Sequence, residues 1–311
     1  MTLLNVIKFK IAWIFKQNLL NFSPMSVVLY STMRCNFRCD FCHSMDVLST
    51  DHKGDLTLEQ FKSILSGKLC KHALRIGFLG GEPFLNNNIF EMLKLCREQR
   101  KITTALTNAA ILKGEVLEKL LLNPPDVLGI SLYDNNENDV ISLVKNIQGK
   151  IIYWVQMTVD TENMKRLEEK IALMADAGIT HFKIGNYHPV TTNKYHLAIY
   201  EDNIEYKKIE SMLKNKFKNK VLISWPPLLK KNPSKKKCTM PFSFIHVDNK
   251  GAIGACCMRS PNHVKYGNIN DKDAWNNSYF QKLRTNMRDN TAESLSECAH
   301  CDSLHCDLYG I

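Results

Sequence analysis

Short apolar runs alternate with helix-like segments from Ser26 to Ile184, and this alternation leaves few architectures open to the chain. The strand-like runs are Ser26–Ser31, Leu74–Leu79, Ile102–Leu106, Val127–Leu132, Ile151–Thr158 and His181–Ile184. Helix signals fall between them. Thr57–Leu65 has Thr57 as N-cap with Glu59 and Gln60 in its first turn; Asn88–Gln99, Val116–Leu122 and Met164–Ala177 follow, the last ended by Gly178. Repeats of this kind fold as a parallel α/β sheet, and six strands predict a partial (β/α)6 barrel. Such folds carry their chemistry at the C-terminal ends of the strands, so the residues after each strand matter most.

The first strand delivers the chain to Cys35, Cys39 and Cys42, a C-x3-C-x2-C triad with Phe41 before its last cysteine. Three thiolates can hold three irons of a cubane [4Fe–4S] cluster, leaving the fourth iron open to a ligand. No fourth cysteine stands nearby. The other reading is a zinc site completed by His43, although this spacing differs from the paired ligands zinc usually takes.

The triad with its aromatic resembles the signature of the radical S-adenosylmethionine (radical SAM) enzymes. The resemblance implies that the amino and carboxylate groups of SAM chelate the open iron. An electron from a low-potential donor such as flavodoxin or ferredoxin then cleaves the sulfonium, and a 5′-deoxyadenosyl radical takes hydrogen from a substrate C–H bond. It also implies that Phe41 packs on the adenine. After the second strand, Gly80, Gly81, Glu82 and Pro83 match the family's GGEP motif, which holds the methionyl amino group; the two glycines let backbone approach a ligand closely. Ser131 and Asp134 resemble the family's ribose-binding strand end, with Tyr133 at the usual acid position; a helix N-cap is the other role for Asp134. Thr107-Asn108-Ala109 is similar to a Thr-Asn-Gly turn, from which Asn108 faces SAM or caps the turn. Gln156, Lys183, Asn186, Tyr187 and His188 stand at or beyond late strand ends as candidates to line a substrate cavity. No single catalytic residue stands out.

A second cysteine group follows. Cys238 precedes a hairpin reading, with Phe244–Val247 and Ala252–Ala255 joined at Asp248-Asn249-Lys250-Gly251, which brings Cys238 and Cys256 together. Cys298 and Cys301 form a C-x2-C pair for iron or zinc. The pattern, with Tyr266-Gly267-Asn268-Ile269 and Trp275, resembles the SPASM/twitch extension of radical SAM enzymes. It implies one auxiliary [4Fe–4S] cluster on Cys238, Cys256, Cys298 and Cys301. Cys257 is an alternative to Cys256, and Cys306 is left over. Cys70 and Cys96 read as structural.

The expected organisation is an N-terminal amphipathic helix (1–25), a radical SAM barrel (26–200), a helical, lysine-rich linker (201–237) and a twitch/SPASM-like domain (238–311). Eleven cysteines at ligand spacings, with no signal peptide, place the chain in a reducing cytoplasm rather than in a disulfide framework. The acid-free N-terminal run, with Phe9, Trp13, Phe15, Lys8, Lys10 and Lys16, packs on the domain or touches a membrane surface. The net charge of +10 is concentrated between Lys207 and Lys237, which hold eleven lysines and one acid, Glu210. This stretch reads as a solvated face, and it lacks the motifs of a nucleic-acid binder.

The resemblance implies that a four-cysteine auxiliary cluster accepts the electron left after hydrogen abstraction. The expected reaction is therefore a two-electron oxidation of a small hydroxylated metabolite. The alternative is a peptide maturase that epimerises or crosslinks its substrate. A small molecule is expected over a peptide, because the segment ahead of Cys35 is shorter than a separate peptide-recognition domain.

Overall fold

The computed structural model describes residues 2–15, 17–42, 44, 48, 54–189, 194–226, 228–230, 238–256, 260–289 and 298. Strand β1, Ser26–Thr32, is buried at every position. That suits a continuous apolar run inside a parallel sheet covered on both faces. β2 (Arg75–Gly80), β3 (Ile102–Thr107), β4 (Val127–Ser131), β5 (Ile152–Val159) and β6 (His181–Asn186) add in chain order, all parallel. Helices α1 (Thr2–Ile14), α2 (Leu58–Ser66), α3 (Ile89–Glu98), α4 (Glu115–Leu122), α5 (Glu137–Ile147), α6 (Leu167–Asp176), α7 (Ile204–Phe217) and α8 (Ser278–Asp289) complete the principal elements. The capping box on α2 forms as its sequence requires: Thr57 Oγ1 accepts from Gln60 N–H, and Gln60 Oε1 from Thr57 N–H.

Two segments extend the sheet beyond the six strands. β7, Leu222–Ser224, lies within 201–237 and pairs with β6. β8, Phe244–Val247, runs parallel to β1, and β9, Ile253–Gly254, closes an antiparallel hairpin on it. The strand order is β7-β6-β5-β4-β3-β2-β1-β8-β9. One sheet therefore carries both cysteine regions. Inside it Gly129 is required by contact: a Cβ there would stand 2.6 Å from Leu106 Cδ1 and 2.8 Å from Trp154 Cζ2.

α1 buries Phe9 and Ala12 and sets Trp13 edge-on against Phe242, with ring centroids 5.2 Å apart. Ile7, Ile11, Ile14 and Phe15 face outward. Arg284 on α8 is almost wholly buried and ties this end together. It donates to Pro241 O at 2.8 Å, Trp275 O at 2.7 Å, Asn18 O at 3.0 Å and Asn276 Oδ1 at 2.9 Å. Five donors in a fixed fork suit a residue that must satisfy several carbonyls at once. Among the described residues no helix is long and apolar enough to cross a membrane.

Candidate active site

A cavity of about 490 Å³ opens at the C-terminal ends of the strands. Cys35, Cys39 and Cys42 all line it, as do Phe41, Gly80, Gly81, Glu82, Asn108 and Ser131. Two backbone hydrogen bonds fasten the start of the cysteine loop to the end of β2. Gly81 N–H donates to Thr32 O at 2.9 Å, and Glu82 N–H to Arg34 O at 2.8 Å. Gly81 is needed there, because a Cβ would fall 1.8 Å from Arg34 O. Beneath the loop Arg34 grips Asp55 with two hydrogen bonds, 2.9 and 2.7 Å.

Glu82 is 1% exposed and keeps three donors on its carboxylate: Thr107 Oγ1 (2.9 Å), Asn108 N–H (2.8 Å) and Phe84 N–H (3.3 Å). Burial pushes its pKa up to about 7, against the opposing pull of those hydrogen bonds. A ligand ammonium reaching this carboxylate would favour its ionised form. Pro83 is buried one residue on, where it begins a helical turn behind the cavity wall. Asn108 reaches across to the cysteine loop, its Nδ2 donating to Asn36 Oδ1 at 2.8 Å.

The β4 end differs from expectation at one residue. Asp134 does not line the cavity. Its exposed carboxylate is held by Arg166 and by Lys170, at 2.5 and 2.8 Å, which keeps its pKa below the usual range. The chain turns away from the cavity after Tyr133, so Asp134, three residues past Ser131, faces outward. Tyr133 and Asn136 take the inner positions. Tyr133 stacks on Phe41, with centroids 5.9 Å apart, and also touches Phe37 at 5.5 Å. Its hydroxyl lies near Ser131 and Cys39. Asn136, buried, donates to Asn108 O (2.7 Å) and Ser131 O (2.8 Å) and accepts from Tyr133 N–H (2.7 Å). One side chain thus locks the ends of β3 and β4. The sequence signal for it, an asparagine in a turn, is too common to single out.

Burial raises the thiols of Cys35 and Cys39, the latter to about 11 despite the nearby Tyr133 hydroxyl. Thiols held this way release protons when they take a metal. Among the described residues no group of three His, Cys, Asp or Glu is placed to hold a single metal ion. A cubane, by contrast, takes each cysteine on a separate iron.

The far wall is made by β5, β6 and β7. Gln156, Lys183, Asn186, Tyr187 and His188 line the cavity with Ser224 and Trp225. Asn186 is also structural: its amide exchanges hydrogen bonds with Ile199 at 2.7 and 3.1 Å. Burial, then the charge of Arg75, holds the Lys183 ammonium below its usual pKa.

In the second cysteine region, continuing the β8–β9 register brings Cys256 level with Phe244, and Cys238 packs against the cluster that Phe244 forms with Val28 and Met240. Tyr279 feels the charge of both Cys298 and Cys256. Tyr279 thus stands near Cys256 and Cys298. Cys301, Cys257, Cys306 and His43 lie outside the described residues. No disulfide joins the eight described cysteines. His246 on β8 is wholly buried between the two regions, its ring edge-on to the cavity residue Tyr30 at 4.2 Å. Among the described residues its nitrogens have no side-chain partner, and the Cys256 backbone approaches them. Burial lowers its pKa to about 3, so the ring is neutral.

Two family models match the chain. The radical SAM superfamily model covers residues 29–151, and a SPASM iron-sulfur cluster-binding domain covers 238–302. An S-adenosylmethionine-dependent nucleotide dehydratase of Selenomonas ruminantium is 31% identical over 119 residues, 38% of this chain and 42% of that protein. A tungsten-containing aldehyde ferredoxin oxidoreductase cofactor-modifying protein of Pyrococcus furiosus is 21% identical, across 89% of this chain and 87% of its own. The antilisterial bacteriocin subtilosin biosynthesis protein AlbA of Bacillus subtilis is 24% identical, across 92% of this chain and 66% of its own. The chain thus spans under half of the dehydratase and about two thirds of AlbA. Among solved structures, Streptococcus suis SuiB bound to precursor peptide SuiA aligns with a TM-score of 0.67 at 17% identity, covering 97% of this chain and 74% of that one. BtrN in complex with AdoMet and 2-DOIA aligns at 0.56 and 16%, covering 90% and 93%. At these identities both structures speak for the fold alone. The two domains together imply a [4Fe–4S] cluster with SAM and an auxiliary iron–sulfur cluster. The three thiols, the Gly81 approach and the buried Glu82 fit the first of these.

Proposed function

The chain is a radical SAM enzyme with a C-terminal SPASM domain, and from that premise we propose that it modifies a peptide, forming a crosslink or an epimer. The observation that carries this reading is the similarity to AlbA, a bacteriocin biosynthesis protein, through both domains and 92% of this chain. The oxidation of a small hydroxylated metabolite, expected from the sequence, has behind it only the fold shared with BtrN.

Bound together, the cluster and SAM supply homolytic cleavage of SAM and removal of hydrogen from a C–H bond. Cys35, Cys39 and Cys42 would hold that cluster. Glu82, with its carboxylate fixed by three donors, would receive the SAM ammonium; Gly80 and Gly81 make room for its chain. Phe41 and Tyr133 offer flat faces for the adenine, and Asn108 and Ser131 offer polar atoms for the ribose edge. The wall of β5–β7 is left to the substrate. Cys238, Cys256, Cys298 and Cys301 would hold the auxiliary cluster, and a low-potential protein such as flavodoxin or ferredoxin would supply electrons.

The test is co-expression with short open reading frames that neighbour its gene, followed by mass spectrometry. Loss of two hydrogens, or uptake of one solvent deuterium, in one encoded peptide supports the reading. Unmodified peptides alongside substrate-dependent 5′-deoxyadenosine release from a hydroxylated metabolite would refute it.

A further inference from the structure

We propose that Lys183 and Gln156 form an anchor for a carboxylate of the substrate; as an acidic or C-terminal peptide group, this rests on the peptide reading above. The two residues are neighbours in register, Gln156 on β5 and Lys183 on β6. The row continues to Ser131 on β4 and Ser224 on β7, and all four line the cavity. At the ends of the row, Ser224 Oγ lies 2.8 Å from His181 Nε2, and Ser131 lies near the Tyr133 hydroxyl.

The middle of the row presents donors. Trp154 donates its indole N–H to Gln156 Oε1 at 3.1 Å. That fixes the amide with its NH2 turned away from Trp154, in only a long 3.5 Å contact with Ser131 Oγ. Lys183 Nζ lies over the Trp154 ring, 5.5 Å from its centroid. Among the described residues it makes no ion pair. Gly129 lets Trp154 lie where it does, since any side chain there would collide with the ring.

Glu82, the one carboxylate among the described residues that line this cavity, is already committed to three donors on the β2–β3 side. A half-buried ammonium beside an oriented amide, without a counter-ion, is favourable once an anion joins it. One cation and one amide provide two points of attachment, which match the two oxygens of a carboxylate. The amino-acid end of SAM belongs at Glu82, three to four strands away in the sheet order. The carboxylate at Lys183 is therefore the substrate's.

A positional-scanning peptide library, presented to anaerobically reconstituted, SAM-loaded full-length enzyme, tests this. Wild type should retain peptides enriched in Asp, Glu or a free C-terminus at one position. Lys183→Met should lose that enrichment by about tenfold or more, while Lys183→Arg keeps most of it. SAM affinity, measured by equilibrium dialysis, should be the same in all three. Equal acid enrichment in Lys183→Met overturns the proposal. A fall in SAM affinity in Lys183→Met with unchanged peptide selection also overturns it, by giving the anchor to SAM. If wild type retains no peptide, the peptide reading fails, and N-acetylglycine against N-acetylglycinamide in saturation-transfer NMR decides the anchor. A carboxylate-dependent signal lost in Lys183→Met upholds it; equal signals in both proteins overturn it.

Discussion

The two walls of the cavity are built differently. On the β2–β4 side, Glu82, Thr107, Asn108 and Asn136 are buried, and each has its hydrogen bonds made within the chain. On the β5–β7 side, Lys183 and the Gln156 amide are half-buried and less completely engaged. A wall whose polar groups are already fixed loses little order when a ligand arrives, and suits a cofactor of constant shape. A wall with unfilled donors is set for a ligand that supplies the missing acceptor.

The contrast can be broken most sharply at Gly81. In Gly81→Ala the new methyl meets Arg34 O, so the fixed wall and the cysteine loop must part. Reconstituted protein should lose about four irons per chain, and SAM cleavage should fall to background. Asn136→Ala leaves two buried carbonyls and one N–H without partners. It should cost about 3 kcal/mol in urea unfolding and weaken SAM binding. If stability is unchanged, the β2–β4 wall is not held as described.

His246 is buried with little engagement yet belongs to neither wall. Its folded pKa is lowered to about 3, while the unfolded ring titrates near 6.5. The unfolded state then binds more protons between those values, so stability falls as pH drops below 6.5. From pH 7 to 5 the apo protein should lose about 2 kcal/mol through this residue, and His246→Phe should remove that loss. A smaller effect is expected at Gln156→Ala, where SAM affinity should stay within about twofold if the β5–β7 wall is not the cofactor's. Asp134→Ala should do least. Its carboxylate is exposed, so unfolding should shift by less than about 1 kcal/mol and SAM binding should not move.

What the sequence made legible was local. The six strands, the Thr57 cap, the turn at Gly251 and the GGEP glycines depend on neighbours within a few residues, and all stand where their patterns put them. The pairing of β8 with β1 joins residues some two hundred positions apart, and no local pattern encodes it. Asp134 is expected at the ribose by resemblance yet does not line the cavity, because resemblance fixes a residue's type but not the direction of the chain after Tyr133. Tyr133 and Asn136, which hold the inner positions instead, are ordinary in type and become meaningful only through Phe41, Cys39 and Asn108. Helix α5 went unrecognised between the fourth and fifth strands, although Val140, Leu143, Val144 and Ile147 give it a buried face.

The place of β8 beside β1 limits how this chain can be engineered. Ser26–Leu29 lie against Phe244–Val247, so a protein cut at residue 237 would present β1 as a bare, apolar strand. Unpaired strands of that kind recruit other chains, and the truncated barrel should precipitate rather than persist as a smaller enzyme. Modular exchange of the C-terminal piece between relatives would meet the same obstacle, because a graft must first supply the missing strand in register.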